Sequence, residues 1–244
     1  MVEKEKFNNA ADGFFENTMK DWLPRPQPID FVLHFFNNLK NGVFVDIGAY
    51  DGVACSNTFV LEKELGWKGI CVEPNPEMYL ECIKNRLCPT VNSVISNSTK
   101  QINFRRVSGA GASLSCVLEA ANEDHLNRID FEIENQGGTY EDIPLQTTTL
   151  NFIFTELINS SIFKNISAPR FIHYLSIDAE GSEYEILKSA DFNIFNIPLI
   201  SIEFDHKNPR ESDILAMDFL KKNNYTPIEQ VCGDLFFCKE PYAK

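Results

Sequence analysis

The sequence predicts an α/β protein with an open, Rossmann-like sheet of mainly parallel strands, and three observations carry that prediction. Val43-Phe-Val-Asp-Ile47 is a short apolar run that passes into a glycine turn, Gly48-Ala-Tyr-Asp-Gly52. Gly69-Ile-Cys-Val72 is a second such run, ending in the acid Glu73. Tyr174-Leu-Ser-Ile177 and Leu199-Ile-Ser-Ile202 repeat the pattern, with Asp178 and Glu203 at their exits. Strands buried on both faces read as continuous apolar runs, and ligands of open α/β sheets bind beyond the carboxyl ends of such strands.

The elements follow in order. Residues 1–40 form an N-terminal segment: 1–23 are polar with scattered aromatics, and Pro24-Arg-Pro-Gln-Pro28 is an extended connector because each proline disfavours helix in the residue before it. Helical spacing of apolar residues runs from Ile29 to Leu39 and stops at Asn41-Gly42. The main domain occupies 41–244, with strands beginning at Val43 and Gly69, helices over Ser56–Leu65 and Pro76–Leu87, and a third strand over Val91–Ile95. The fourth core strand, Phe171–Ile177, comes much later than one crossover helix requires. An insert over about 97–170 is therefore expected between the third and fourth core strands. It holds strand-like alternation at 101–107 and 143–149, the Ser108-Gly-Ala-Gly-Ala-Ser113 loop, the Gly137-Gly138 turn and a helix-like stretch at 150–163. Such an insert reads as a flap over the ligand cleft. Arg105, Arg106 and the Gly-Ala loop are its candidates for substrate specificity, each also readable as part of a solvent-facing hairpin. The fifth strand starts at Pro198, a helix covers Ala216–Asn223, and Tyr225–Val231 with Asp234–Lys239 form a closing hairpin around Cys232-Gly233.

Composition narrows the function. The chain has 244 residues, 43% of them apolar, enough for a substantial core. A net charge of -13 argues against nucleic acid as a partner, because that affinity comes from clustered Lys and Arg that displace counterions. Seven cysteines without a C-x-x-C pair read as reduced small hydrophobes rather than a disulfide frame or zinc site. No apolar run reaches the roughly 18 residues of a membrane span, and the start does not read as a signal peptide, so the expected compartment is cytoplasmic. Asn97, Asn159, Asn165 and Asn224 match the glycosylation acceptor pattern, expected here as coincidence.

The motifs point to a nucleoside-type cofactor. Gly48 and Gly52 permit a sharp turn, but Tyr50 stands where a dinucleotide fingerprint requires its second glycine, which removes the backbone approach to a pyrophosphate. A cofactor with ribose and adenine but no phosphates fits better, and S-adenosylmethionine is such a cofactor. Asp46, Gly48 or Asp51 are candidates near its amino-acid end, Glu73 for its ribose hydroxyls, and Tyr50, Pro74 and Ser96 complete the expected set. Asp178, Glu180 and Glu183 crowd the next strand exit, a grouping costly to desolvate unless a proton or cation is shared. Glu183 reads equally as a helix-starting acid. His206, beside Glu203 and Asp205, is the expected general base because it titrates near neutral pH. His34, His125 and His173 read as structural.

Phe44-Val-Asp-Ile-Gly-Ala-Tyr-Asp-Gly52, Val72-Glu-Pro-Asn-Pro76, Leu175-Ser-Ile-Asp-Ala-Glu-Gly-Ser-Glu183 with Ile186-Leu187, and Ile200-Ser-Ile-Glu203 together resemble the FkbM family of S-adenosylmethionine-dependent methyltransferases. The resemblance covers about 41–239 and departs at Leu150-Asn151, where the family commonly has Leu-Asp. It implies a seven-stranded class I methyltransferase sheet and methyl transfer to an oxygen, often of a sugar, glycan or glycosylated small molecule. The (Asp/Asn)-Pro-Pro-Tyr loop used on exocyclic amines is absent after the fourth strand. The expected proton acceptor is Asp178 or His206, with Glu180 and Glu203 positioning the acceptor. Asp178, Glu180 and Glu203 would also suit magnesium or manganese, although no spacing requires a metal. A noncatalytic cofactor- or glycan-binding protein of the same fold and an NAD-dependent oxidoreductase stay open as alternatives, and the sequence leaves the oligomeric state open.

Overall fold

The structure is a computed structural model that describes residues 27–159 and 170–242. The expected polar segment 1–23, the start of the proline connector, residues 160–163 of the helix-like stretch, and Asn165 lie outside the described residues.

Helix α1 (Pro28–Phe35) precedes strand β1 (Val43–Ile47), followed by α2 (Phe59–Leu65), β2 (Lys68–Val72), α3 (Pro76–Asn85) and the short β3 (Thr90–Val91). After a second sheet described below come α5 (Leu150–Asn159), β8 (Tyr174–Ile177), α6 (Glu183–Lys188), β9 (Leu199–Glu203), α7 (Glu211–Lys222), β10 (Tyr225–Val231) and β11 (Asp234–Lys239). The 7-stranded main sheet has the order β10-β11-β9-β8-β1-β2-β3. β8, β1 and β2 run parallel as neighbours, β9 is parallel to β8, and β11 enters antiparallel between β9 and β10. The strand order reverses between β1 and β8, so the helices that follow them, α2 and α6, lie on opposite faces of the sheet and the turns leading to them leave a crevice. The expected α/β class and seven-stranded sheet are thus observed.

Both faces of the sheet are covered, which explains the apolar runs. Alternate side chains of a strand point to opposite faces. Val43, Val45 and Ile47 pack with α5, α6 and α7, while Phe44 packs with α1, α2 and Trp67. Every residue of β1 is buried, including Asp46.

Several boundaries differ from the sequence reading, each for a local reason. The helix expected from Ser56 begins at Phe59, because the Ser56 hydroxyl accepts hydrogen bonds from the Thr58 and Phe59 amides and holds that turn out of the helix. The strand expected over Val91–Ile95 divides between two sheets. Asn92 turns its side-chain amide to the carbonyls of Glu73 and Pro74, and the chain leaves the main sheet there. The second sheet thus begins at β4 (Val94–Ile95), ahead of residue 97. The fourth core strand starts at Tyr174, with Phe171 making only an isolated bridge to Asn196.

The second sheet, order β4-β7-β5-β6, contains the long antiparallel neighbours β5 (Gln101–Gly109) and β7 (Gly138–Thr148) and the short β6 (Cys116–Val117). Between β6 and β7 lies α4 (Glu123–Gln136), a helix the sequence reading did not identify. Its signals were present: Asn122 caps it by accepting from the His125 amide, Glu123 and Asp124 occupy the first turn, and Leu126, Ile129 and Ile133 form its apolar stripe. The second sheet and α4 together form a cap, which one buried side chain fastens to the main sheet. Asn75 caps α3 through its oxygen, while its amide nitrogen donates to Val107 O at 2.9 Å and Ser115 Oγ at 3.0 Å.

Gly48 is required by close approach. It has φ +82°, and a Cβ built there would lie 1.7 Å from the carbonyl oxygen of Asp178. Gly48→Ala is therefore expected to cost about 3 kcal/mol or more, combining left-handed strain with overpacking against backbone. Urea unfolding of the variant checks this, and a midpoint equal to that of the parent would show that the two turns separate freely.

Candidate active site

A cleft of about 910 Å³ opens over the carboxyl ends of β1, β2, β8 and β9, with the second sheet as its far wall. Its dimensions suit a cofactor together with part of an acceptor.

At one end the β1 turn and the tip of β2 are tied through Glu73, which is 6% exposed. Its Oε2 accepts from the Tyr50 amide at 2.8 Å and its Oε1 from the Asn75 amide at 2.7 Å. Each oxygen keeps a second lone-pair site for a ligand hydroxyl. Burial pushes the Glu73 pKa up to about 8, against the opposing pull of those two amides. Gly48, Tyr50 and Pro74 line the same end, and Tyr50 holds a left-handed φ of +51°.

Asp46 also faces the cleft, but its carboxylate is engaged from behind. Thr58 Oγ1 donates to Asp46 Oδ2 at 2.5 Å, and Arg86 Nη1 lies 3.8 Å away. The buried Arg86 donates as well to Glu62 at 2.7 Å, Thr58 at 3.0 Å and the Gly52 carbonyl at 3.2 Å, so it knits the glycine turn to α2. Burial raises the Asp46 pKa, with Arg86 and Thr58 opposing.

Two of the expected cofactor residues lie elsewhere. Asp51 is outside the cleft lining, and its Oδ1 accepts from the Val53 and Ala54 amides at 2.8 Å each, making it a turn-forming residue. Ser96 is buried, with its amide bonded to the Thr148 carbonyl, and the division of the third strand brings Ser93, Val94 and Ile95 to the cleft instead.

At the other end Asp178, Glu180 and Glu203 converge, each offering an oxygen within 4.8 Å of the others. Asp178 opens onto the cleft, and no described residue hydrogen-bonds its carboxylate. Burial within the molecule, then the Glu203, Glu180, Asp234 and Glu183 carboxylates, hold its pKa well above the usual range. Glu180 has a left-handed φ of +50°. Burial and Glu203 push its pKa up to about 8, with Arg128 opposing. Glu203 Oε2 lies 3.1 Å from Arg210 Nη2. Glu183 is a turn residue: it is fully buried, and its Oε1 accepts from the Ala179 and Gly181 amides at 3.0 and 3.3 Å. Burial raises its pKa to about 7, with Arg210 opposing.

The expected base does not join this group. His206 is exposed outside the cleft lining, its ring against Phe204 at 5.8 Å, because β9 ends at Glu203 and Asp205 starts a surface turn by accepting from the Lys207 amide. The histidine beside the acids is His125, whose Nδ1 lies 3.3 Å from Glu180 Oε2. Unlike His125, Arg128, one helical turn further along α4, and Asp234, the first residue of β11, line the cleft. Asp234 accepts from Asn57 Nδ2 at 2.9 Å, and burial raises its pKa to about 7. Sequence patterning offered no sign of these three. Arg105 and Arg106 are engaged within the cap, Arg105 by Asp142 in a bidentate pair and Arg106 by Glu141.

The acidic trio does not present a vacant cage for magnesium or manganese. Two of its members already face basic partners, Glu203 with Arg210 and Glu180 with His125, and a divalent ion would have to compete with both.

Two outcomes follow from these interactions. Arg86→Met leaves Glu62 and Asp46 buried without their cation and is expected to cost about 3–5 kcal/mol in chemical denaturation. An unchanged midpoint would show that Arg86 is dispensable. The second concerns pH. Glu73 and Glu180 at about 8, and Glu183 and Asp234 at about 7, keep their protons in the folded state after the unfolded chain has lost them. Their contribution to stability is full below the unfolded carboxyl pKa and is lost as pH rises through those values. His125 and His173 are lowered by burial, His173 to about 4, and act in the opposite sense only up to their unfolded pKa of about 6.5. Stability should therefore fall between about pH 6.5 and 8. Urea midpoints at the two values test it, and a higher midpoint at the upper pH would contradict it.

Comparison with known proteins gives a family. Among solved structures, a methyltransferase from Pyrococcus furiosus shares 14% identity at TM-score 0.41, with 94% of this chain and 92% of that one covered. Precorrin-6y C5,15-methyltransferase from Geobacter metallireducens GS-15 shares 10% at TM-score 0.42, covering 90% of each chain. An RNA methyltransferase from Salinibacter ruber in complex with S-adenosyl-L-homocysteine shares 12% at TM-score 0.38, with 89% and 95% covered. These likenesses are too loose to assign a ligand or substrate. No curated protein sequence matches at a significant level. The sequence model of the methyltransferase FkbM domain, however, matches residues 46–227, spanning the glycine turn, the cap and the acidic cluster, and this chain belongs to the FkbM methyltransferase family.

Proposed function

We propose that this methyltransferase uses S-adenosylmethionine and acts on a hydroxyl of a sugar, glycan or glycosylated small molecule. The observation that carries the reading is the pairing, in one cleft, of Glu73 clamped beside the Gly48–Tyr50 turn with the unengaged carboxylate of Asp178. The first suits a ribose diol and the second a hydroxyl that must lose its proton.

S-adenosylmethionine, when bound, supplies a methyl group already activated by its sulfonium. The protein's task is then alignment and proton removal. Glu73 accepts from the ribose hydroxyls, Gly48 and Tyr50 shape the amino-acid end, and Val94, Ile95 and Pro74 offer apolar walls for the base. Asp178, in its ionised form, would take the acceptor's proton as its oxygen received the methyl group, the sulfonium's carbon–sulfur bond breaking to leave a neutral thioether. Its raised pKa makes it a stronger base than an ordinary carboxylate. Glu180, Glu203 and Asp234 accept hydrogen bonds from neighbouring hydroxyls, which a polyol provides in number. The acid-rich lining and the net charge of -13 disfavour a nucleic-acid acceptor. Among the described residues no helix is long and apolar enough to cross a membrane.

Calorimetric titration with S-adenosylhomocysteine, with NAD in parallel, tests the cofactor. Saturable binding of the first alone is expected, and binding of NAD alone would overturn the reading. Glu73→Ala should weaken S-adenosylhomocysteine by about tenfold, the scale of one or two lost hydrogen bonds, whereas Asp178→Asn should retain it. Normal binding by Glu73→Ala would place the ribose elsewhere.

A further inference from the structure

We infer that His125 is a positioning residue which, through a single proton held between its Nδ1 and Glu180 Oε2, fixes Glu180 in the acceptor subsite and fastens the cap to it. The acceptor part of this statement rests on the methyltransferase reading above; the pairing does not.

The argument is stereochemical. His125 Nε2 lies 2.9 Å from the Leu114 carbonyl oxygen, which can only accept, so Nε2 carries a hydrogen. The other ring nitrogen, Nδ1, is 3.3 Å from Glu180 Oε2. A bare Nδ1 facing an ionised carboxylate would set two lone pairs against each other at that distance. One proton must lie between them, on the imidazole or on the carboxyl. In either form the proton bridges the two: the carboxyl donates to Nδ1 of a neutral ring, or the Nδ1–H of an imidazolium donates to the carboxylate.

Both partners are held for the purpose. The His125 amide donates to the Asn122 cap at 2.8 Å, the ring is buried, and Leu114 belongs to the short helical turn at Ala112–Leu114 that packs against α4. Glu180 occupies a left-handed conformation that Glu rarely adopts, in a turn closed from beneath by Glu183. The neighbouring backbone is in contact too: a Cβ built at Gly181 would meet the Ala120 carbonyl at 3.1 Å. The cap therefore touches the β8 turn at two adjacent residues, and His125 makes the polar contact. Glu203 and Arg210 approach the pair from the β9 side and Arg128 from α4, so without His125 the Glu180 carboxylate would have other charges to turn toward.

Nitrogen-15 NMR of histidine-labelled protein, combined with hydrogen exchange of the α4 amides, tests the pairing. In the wild type, Nε2 should report a bound hydrogen, and Nδ1 should be displaced from the position of a bare ring nitrogen. Glu180→Gln, whose amide can donate to Nδ1, should preserve the displacement and the α4 protection. Glu180→Ala and His125→Phe should speed α4 exchange by about tenfold, the scale of one lost hydrogen bond, and Glu180→Ala should return Nδ1 toward the bare position. A bare Nδ1 in the wild type, or a Glu180→Ala variant that leaves both the resonance and the exchange unchanged, overturns the pairing. Titration of the wild type with S-adenosylhomocysteine is a separate arm: absence of binding there overturns the methyltransferase-site reading and the acceptor role, whatever the spectra show.

Discussion

The site depends on the backbone contact between the exits of β1 and β8. The Asp178 amide donates to the Ile47 carbonyl at 2.9 Å, and the Asp178 carbonyl closes over Gly48 so tightly that no side chain fits between them. Parallel pairing of the two strands delivers both exits to the same edge of the sheet, at the point where strand order reverses. Everything that faces the cleft is referenced to this contact. Gly48 sets the direction of the turn that carries Tyr50, the Tyr50 amide meets Glu73, and Asp178 is held next to the turn with its carboxylate free.

From that contact, order spreads through buried polar side chains rather than through apolar packing alone. Arg86 binds the glycine turn from behind, Glu73 joins it to β2, and Asn75 joins β2 to the cap. His125 returns from the cap to Glu180, closing a circuit around the cleft. Buried polar groups are costly when unpaired and geometrically exacting when paired, so such a circuit fixes positions more narrowly than hydrophobic contact would. The cap is thereby part of the site's framework on both sides of the cleft.

Much of this is legible in the sequence. The apolar runs at Val43, Gly69, Tyr174 and Leu199 identified core strands, because burial on both faces of a parallel sheet leaves a continuous signature. The exit residues Gly48, Tyr50, Glu73, Asp178, Glu180 and Glu203 all face the cleft, since a strand followed by a turn has little choice about where its last residues point. His206 shows the limit of that logic: three residues beyond its strand the chain has already turned to the surface, and position at an edge no longer implies direction. Ser96 failed for a related reason, since the side chain of Asn92 diverts the strand into another sheet. Helix α4 was readable from its cap and stripe, but not its destination.

By itself the sequence determined the α/β class, the parallel core strands, the glycine turn and the acids at the strand exits, all of which follow from local periodicity and from backbone preferences over a few residues. Only the tertiary structure decided that Asp234 and Arg128 share the cleft with His125 behind Glu180, that Glu183 and Asp51 are consumed by their own turns, and that the cap is fastened by Asn75 and His125. Those contacts join side chains far apart along the chain. Nothing in the composition or spacing of either partner encodes the other, because the distance between them is set by how the sheet twists and where the second sheet docks.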